Sequence, residues 1–314
     1  MNSNTTGSVS ATSGALAVVV AVNTKYVQHL CAAVKSLLVN NQGRSFRIYV
    51  INSGIPVSVF DRLRQVAADA ERCEVIDLVV PETLFEGMLL TQYYSREIYY
   101  RLMIPELVDE EKVLYIDSDI IVDGSLDGLF ELDLDGVYAG AVREPWFDRH
   151  AELELDPGHR YFNSGVMLIN VRKWKEDGLH LDVIDYIARH RQAIRFPDQD
   201  GLNAMIGDRY LPLPLKYNLT FIPGEDDLTE QGLYGPDELE EARRRPVIIH
   251  YSGGSKPWHS QNRHPYKSLY WKYLRMTPYR FALPDEPNQG NLFTRRVAQP
   301  LMKCFRKLAD MKRA

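Results

Sequence analysis

The sequence predicts an α/β fold, a Rossmann-like, mostly parallel central sheet flanked by helices. Three observations carry that reading. Residues 15–22 form an unbroken apolar run rich in valine, the pattern of a strand buried on both faces. Strand-like and helix-like segments then alternate as far as residue 79. The composition is that of an ordinary globular chain, 45% hydrophobic and 25% charged over 314 residues, which excludes a mostly disordered or collagen-like chain and leaves enough sequence to bury a large core.

Each element follows from its local pattern. After the first strand, residues 26–38 place Val27, Leu30, Val34 and Leu37 at a helical period. Residues 46–51 read as a second strand. Residues 57–70 read as a second amphipathic helix, with Val59, Leu63, Val66 and Ala67 on one face, and residues 74–79 as a third strand. Such a doubly wound unit binds ligands at the carboxyl ends of its strands. Residues 95–104 are expected to be helical and to stop near Pro105. Residues 112–122 read as one buried strand interrupted by two acids. A further strand over 162–171 leads to Trp174 and an amphipathic helix reaching about residue 190. A short helix over 200–206 and a last strand over 246–251, closed by a glycine turn, complete the body. The expected divisions are a disordered start (1–14), one body (15–275), and a linker with a basic amphipathic tail (276–314).

Charge is unevenly spread. The formal net charge of −5 argues against a protein built to hold nucleic acid, but residues 291–314 alone carry +6, leaving −11 on the rest. From about Pro300 the tail places Leu301, Cys304, Phe305 and Leu308 on one helical face and mostly Lys303, Arg306, Lys307 and Arg313 on the other, the pattern of a helix lying on an anionic membrane. A solvated helix docked on the body is the alternative. Cys31, Cys73 and Cys304 are odd in number and widely spaced, which fits reduced thiols in a cytoplasmic protein better than a disulfide framework. The longest apolar run is the eight residues 15–22, short of the roughly 20 needed to span a bilayer, and no Lys or Arg precedes Lys25 as a signal peptide would require.

Four segments carry candidate chemistry. In Tyr115-Ile-Asp117-Ser118-Asp119, two acids interrupt apolar sequence, where a carboxylate is costly unless something pairs with it. If extended, residues two apart share a side, so both carboxylates would face one cation. Capping of backbone amides or simple hydration is the other reading. In His250-Tyr-Ser-Gly253-Gly254-Ser-Lys256-Pro-Trp258, a histidine ends an apolar strand and is followed by two glycines and a lysine. Imidazole suits borderline metals such as manganese, glycines let backbone amides approach an anion, and lysine offers a point charge for phosphate. Alone, His250 reads as a hydrogen-bonded core histidine. In Pro197-Asp198-Gln199-Asp200, the polar groups suit sugar hydroxyls or simply start a helix. In Phe162-Asn163-Ser164-Gly165-Val166, an asparagine entering a buried strand needs partners.

In this order and spacing the four segments resemble glycosyltransferase family 8, the family of bacterial lipopolysaccharide and lipooligosaccharide galactosyl- and glucosyltransferases related to glycogenin. The likeness runs from about residue 17 to residue 258. It implies a GT-A fold, a UDP-hexose donor, and Mn²⁺ or Mg²⁺ as cofactor. By matching position, Asp117, Asp119 and His250 would hold the metal, while Gly253 and Lys256 would contact the donor phosphates. Ala21, Asn23 and Tyr26 would cradle uracil and ribose, with Ser118 and Arg101 also on the donor. Asn163, Ser164, Asp198 and Gln199 would line the sugar, Asp198 and Gln199 nearest the chemistry. Asn23 and Lys25 stand where the lipooligosaccharide galactosyltransferases carry Asp and Asn.

The resemblance further implies transfer with retention of configuration. A glutamine is a poor nucleophile, so a front-face route with Gln199 supporting the charged sugar is favoured over double displacement. The expected partners are a UDP-sugar, a glycan or glycolipid acceptor such as a lipopolysaccharide core, and the anionic inner face of the cell membrane, with no nucleic acid. Two competing readings are a nucleotidyltransferase and a catalytically inactive UDP-sugar-binding module. The first would want a glycine-rich loop after strand one, where Asn23-Thr-Lys25-Tyr26 has none, and the second would want the acids or His250 lost.

Overall fold

A computed structural model describes residues 14–285 except 69, 71, 91–94, 146 and 221–232. The first half follows the alternation predicted above: β1 (Leu16–Ala21), α1 (Val27–Asn40), β2 (Phe46–Asn52), α2 (Val57–Ala68) and β3 (Cys73–Val79). β1 pairs in parallel with β2 over its whole length, and β2 with β3. Val18 and Val20 of β1 face a core shared with Leu30 and Val34 of α1 and with Leu63 and Val66 of α2. Ala17 and Val19 face a second core on the opposite side of the sheet. Burial on both faces is why the strand's sequence is apolar throughout rather than alternating.

The expected helix over 95–104 is a succession of short turns. α3 (Glu97–Tyr100) passes through a 3-10 turn (Arg101–Met103) into α4 (Ile104–Leu107). The chain does not stop at Pro105, because proline occupies the first turn of α4, where its missing N–H is not needed.

The expected single strand over 112–122 is two strands in two sheets. β4 (Lys112–Ile116) joins β1 in parallel, whereas β5 (Ile120–Val122) leaves the main sheet. After α5 (Asp127–Phe130) come β6 (Ala139–Arg143) and β7 (Phe162–Asn170), and β7 runs antiparallel to both of its neighbours, β4 and β6. All nine residues of β7 are buried. The helix expected to follow Trp174 is two, α6 (Val171–Glu176) and α7 (Leu179–Arg189), broken where Gly178 takes a left-handed φ of 64°. α8 (Pro197–Ile206) starts three residues earlier than the sequence pattern indicates, and β8 (Tyr210–Pro212) closes the main sheet in the order β3-β2-β1-β4-β7-β6-β8.

α9 (Pro236–Arg244) leads to β9 (Ile248–His250), which pairs antiparallel with β5 as a separate two-stranded sheet. α10 (Lys267–Leu274) then lies on α1. Its Tyr273 hydroxyl accepts from Asn40 Nδ2 (2.8 Å) and donates to Asp123 (2.7 Å). The chain stays on the body past 275: Thr277 is buried, and Asp285 N–H donates to the Trp258 carbonyl at 2.8 Å. The tail over 291–314, Cys304 and the N-terminal stretch 1–13 lie outside the described residues. Cys31 and Cys73 are both unpaired thiols.

Candidate active site

The end of the main sheet and the start of the small one meet at Asp117-Ser118-Asp119. Asp117 is placed by the β4–β7 ladder, its N–H donating to the Gly165 carbonyl at 2.8 Å. Asp119 is placed by the β5–β9 pair, its carbonyl accepting from Tyr251 N–H at 3.0 Å. His250, at the end of β9, is in register with Ile120. The two acids therefore converge through a change of sheet, not through alternation along one strand as expected.

Asp117, Asp119 and His250 offer ligand atoms that all lie within 4.8 Å of one another. His250 Nε2 is 3.4 Å from Asp119 Oδ1 and 3.8 Å from Asp117 Oδ2. The Lys256 ammonium donates to Asp119 and, at 2.8 Å, to the Tyr251 carbonyl. Burial alone would raise the Asp119 carboxyl, but the Lys256 ammonium beside it outweighs this and holds the group well below the usual carboxylate range. Gly165 leaves room for this cluster: a Cβ there would fall against His250 Cε1 and 2.7 Å from Asp117 Oδ2. Two carboxylates and an imidazole form a mixed oxygen–nitrogen donor set that fits a divalent cation such as Mn²⁺.

A second group lies beside the first. Asp198 Oδ2 accepts from Ser164 Oγ at 2.9 Å, and Gln199 Oε1 accepts from Ser164 N–H at 3.0 Å. Gln199 Nε2 in turn donates to the Tyr161 hydroxyl at 3.3 Å. Arg101 links the two groups. Its guanidinium lies 2.8 Å from Asp117 Oδ1 and 3.1 Å from Asp198 Oδ2, donates to the Ser164 carbonyl, and sits 4.2 Å over the Tyr115 ring. Burial would favour neutral Arg101, yet Asp117 and Asp198 keep it charged with a raised pKa. Burial raises the Asp198 carboxyl, with Arg101 opposing.

The other residues named from sequence fall around these groups. Ala21 ends β1, opposite Ile51. Asn23 caps the turn after it and donates to Ser95 and Glu97, both at 3.4 Å, rather than meeting the carboxylate pair. Tyr26 stands edge-on to Trp258 with centroids 5.9 Å apart. Ser118 is half-buried between the two acids. Gly253 is exposed at φ 79°, a left-handed turn that lets the strand end fold back toward Lys256. Asn163 faces away from Gln199: its Oδ1 accepts from Asn218 Nδ2 at 2.9 Å, and its Nδ2 donates to Glu144 at 3.3 Å.

Two residues here, Asn218 and Glu144, were not singled out in advance, and a third, Asp200, was named only as part of its segment. Asn218, fully buried, touches both Asn163 and His250. Glu144, whose carboxyl burial raises, follows β6. Asp200 is fully buried and anchors the approach to α8, accepting from Tyr161 Oη (2.5 Å), Arg195 N–H (2.8 Å) and Phe196 N–H (3.0 Å), with Arg149 3.4 Å away. Only Asp200 had a sequence signal, its place in Asp-Gln-Asp; Asn218 and Glu144 sit in no recurring pattern.

Residues 17–262 match the pattern of the family described as Glycosyl transferase family 8. The chain is 30% identical over 261 residues to General stress protein A of Bacillus subtilis, covering 81% of this chain and 91% of that protein. It is 25% identical to the lipopolysaccharide 1,2-glucosyltransferase of Escherichia coli, covering 93% and 87%. Several longer streptococcal glycosyltransferases also match, and the chain spans 30–61% of their length. Among solved structures, the galactosyltransferase LgtC in complex with donor and acceptor sugar analogs superposes with a TM-score of 0.74 at 25% identity, over 84% of this chain and 96% of that one.

Proposed function

The chain belongs to glycosyltransferase family 8, and from that premise we propose that it moves galactose or glucose from a UDP-sugar to a hydroxyl of a glycan or glycolipid, such as a lipopolysaccharide core, with retention of configuration. The observation that carries the reading is the pairing of a cation-type cluster (Asp117, Asp119, His250, Lys256) with a polar sugar-type cluster (Ser164, Asp198, Gln199), held together by Arg101. The bacterial lipopolysaccharide relative supports the acceptor class, and the LgtC likeness supports the donor class.

Asp117, Asp119 and His250 would hold the metal, which when bound sets positive charge against the departing diphosphate. Lys256 adds a second positive charge on the same side. Gly253 and Gly254 let the backbone of that loop come close to phosphate. Asp198 and Gln199, fixed against Ser164, orient the sugar. A phosphate oxygen of the leaving group takes the acceptor proton in a front-face transfer, so no protein base is needed. Gln199 supports the developing sugar charge. Ala21, Asn23 and Tyr26 cradle the nucleoside.

The test is UDP release from UDP-galactose and UDP-glucose with Mn²⁺, with and without acceptor. Asp119→Ala is expected to abolish transfer, whereas Gln199→Ala slows it. Full transfer by Asp119→Ala with the metal chelated overturns the assignment.

No helix among the described residues is long and apolar enough to cross a membrane. We assign the membrane contact to the +6 segment 291–314, through its basic and apolar faces. Cutting the chain at about residue 290 is expected to release it from anionic vesicles at low salt and leave soluble-acceptor transfer intact. Retention of the shortened chain on the vesicles would exclude the tail as the contact.

A further inference from the structure

Behind the carboxylate pair runs a line of side-chain amides with a fixed direction. It starts at a group that cannot be turned round, the backbone N–H of Gly165, which donates to Asn163 Oδ1 at 3.0 Å. That contact settles which end of the Asn163 amide is oxygen. Its NH₂ then points at the Glu144 carboxylate, 3.3 Å away, an acceptor that agrees with the assignment. Asn163 Oδ1 also receives a second donor, Asn218 Nδ2, at 2.9 Å. Asn218 therefore has its NH₂ toward Asn163 and its oxygen toward His250, where Oδ1 lies 3.1 Å from Nδ1. An oxygen there accepts only from an Nδ1 that carries hydrogen. The neutral ring then has its lone pair on Nε2, the nitrogen 3.4 Å from Asp119 and 3.8 Å from Asp117.

We infer that Asn218 and Asn163 are positioning residues that transmit the polarity of the Gly165 amide to His250, holding it as the Nδ1–H tautomer with Nε2 presented to the two carboxylates. The value of this inference for metal binding rests on the function proposed above; the tautomer itself does not. The fold makes the line rigid. Asn218 is 0% exposed, its N–H donates to the Leu215 carbonyl, and the next residue, Leu219, is bridged to β9. Asn163 and Gly165 lie on β7, which is buried along its length. Thus the imidazole is oriented through Asn218, itself held by buried, hydrogen-bonded backbone and by Asn163 on β7. A partner on the far nitrogen of a metal-binding histidine fixes the ring and its tautomer, and its removal typically costs about 10–100-fold in metal affinity.

Two measurements on the full chain test this. In protein labelled with ¹⁵N-histidine at pH 8, with His250 assigned by loss of its signals in His250→Gln, the expected pattern is a protonated Nδ1, whether or not Nε2 also carries hydrogen. A bare Nδ1 overturns the proposal whatever the variants do. In a Mn²⁺ titration by electron paramagnetic resonance with UDP present, Asn218→Leu is expected to weaken Mn²⁺ binding by about 10–100-fold. Asn218→Asp, which keeps an oxygen facing Nδ1, is expected to stay closer to the unaltered chain. Equal affinity in all three folded proteins, or equal loss in both variants, overturns the positioning role. If the unaltered chain binds no Mn²⁺, the functional reading fails, and the nitrogen spectrum still decides the tautomer.

Discussion

Arg101 is the side chain on which both halves of the site depend. It is 3% exposed and stands between two carboxylates, one from the turn after β4 and one from the first turn of α8. Removing one partner of a buried ion pair is costly because the other charge stays buried without compensation, on the order of 3–5 kcal/mol. Arg101→Met keeps an unbranched side chain but removes the guanidinium from over Tyr115 and leaves Asp117 and Asp198 unshielded. The expected outcome in urea unfolding is a loss near about 3 kcal/mol, since Asp117 is partly solvated, together with a large drop in kcat/KM. Arg101→Lys recovers only part of either quantity, because one ammonium cannot make the forked contacts of a guanidinium. A stability change within about 0.5 kcal/mol for Arg101→Met would show that the two acids do not need it. From sequence, Arg101 was assigned to the donor by resemblance. Nothing in Tyr99-Tyr100-Arg101-Leu102 announces that its guanidinium is already shared between Asp117 and Asp198, which come from distant segments.

The element that presents Asp198 and Gln199 is α8, and its position is set by close packing rather than by its own helical propensity. Asn203 donates to the Phe162 carbonyl (2.9 Å) and accepts from the Phe162 N–H (2.8 Å), clamping α8 to β7. On the opposite side Gly201 lets α7 approach: an added Cβ would lie 2.7 Å from Ile187 Cγ1 and 3.1 Å from Val183 Cγ1. Gly201→Ala therefore forces the two helices apart, at about 1–3 kcal/mol as for other overpacked sites. It carries the sugar-side residues with it, so transfer is expected to fall along with stability. Adding Ile187→Ala makes room and is expected to restore part of the activity, a coupling that a double-mutant cycle measures. Purely additive losses would mean that the helix contact does not position the site. At this scale the sequence was informative where a helix or strand is long and periodic, as in α1, α2 and β1. It was misleading at 112–122, where periodicity registers apolar runs but not the change of sheet between Ile116 and Ile120. The short β6 and β8 gave too few residues for a period, and Gly178 was invisible as a helix break until its φ was seen.

Across the molecule, the parallel half of the main sheet was legible because each strand is buried on both faces and is followed by an amphipathic helix that must cover it. The reversed direction of β7, which runs against the other strands of the main sheet, was not, since β7 inserts between β4 and β6 by pairing with strands remote in sequence, and no local pattern records a partner's direction. That topology has a consequence for stability. The seven-stranded sheet contributes Asp117 and the two-stranded sheet contributes Asp119 and His250, so the site lies across the junction between them. A cation held there ties the two sheets to each other, and any ligand that binds only the folded chain stabilises it by mass action. At about 100 times its dissociation constant, UDP with Mn²⁺ would add about 2.7 kcal/mol, a rise in Tm of roughly 4 °C for a chain of this size. Chelating the metal with EDTA is expected to remove most of that rise, and Asp119→Asn to remove it even with Mn²⁺ in excess. The neighbouring Lys256 discriminates this from nonspecific binding. Lys256→Met takes away a phosphate-directed charge but none of the three metal-type ligands, so it should reduce the rise with UDP while a Mn²⁺ signal persists. An equal rise in the unaltered chain and in Asp119→Asn would place the ligand elsewhere than the junction of the sheets.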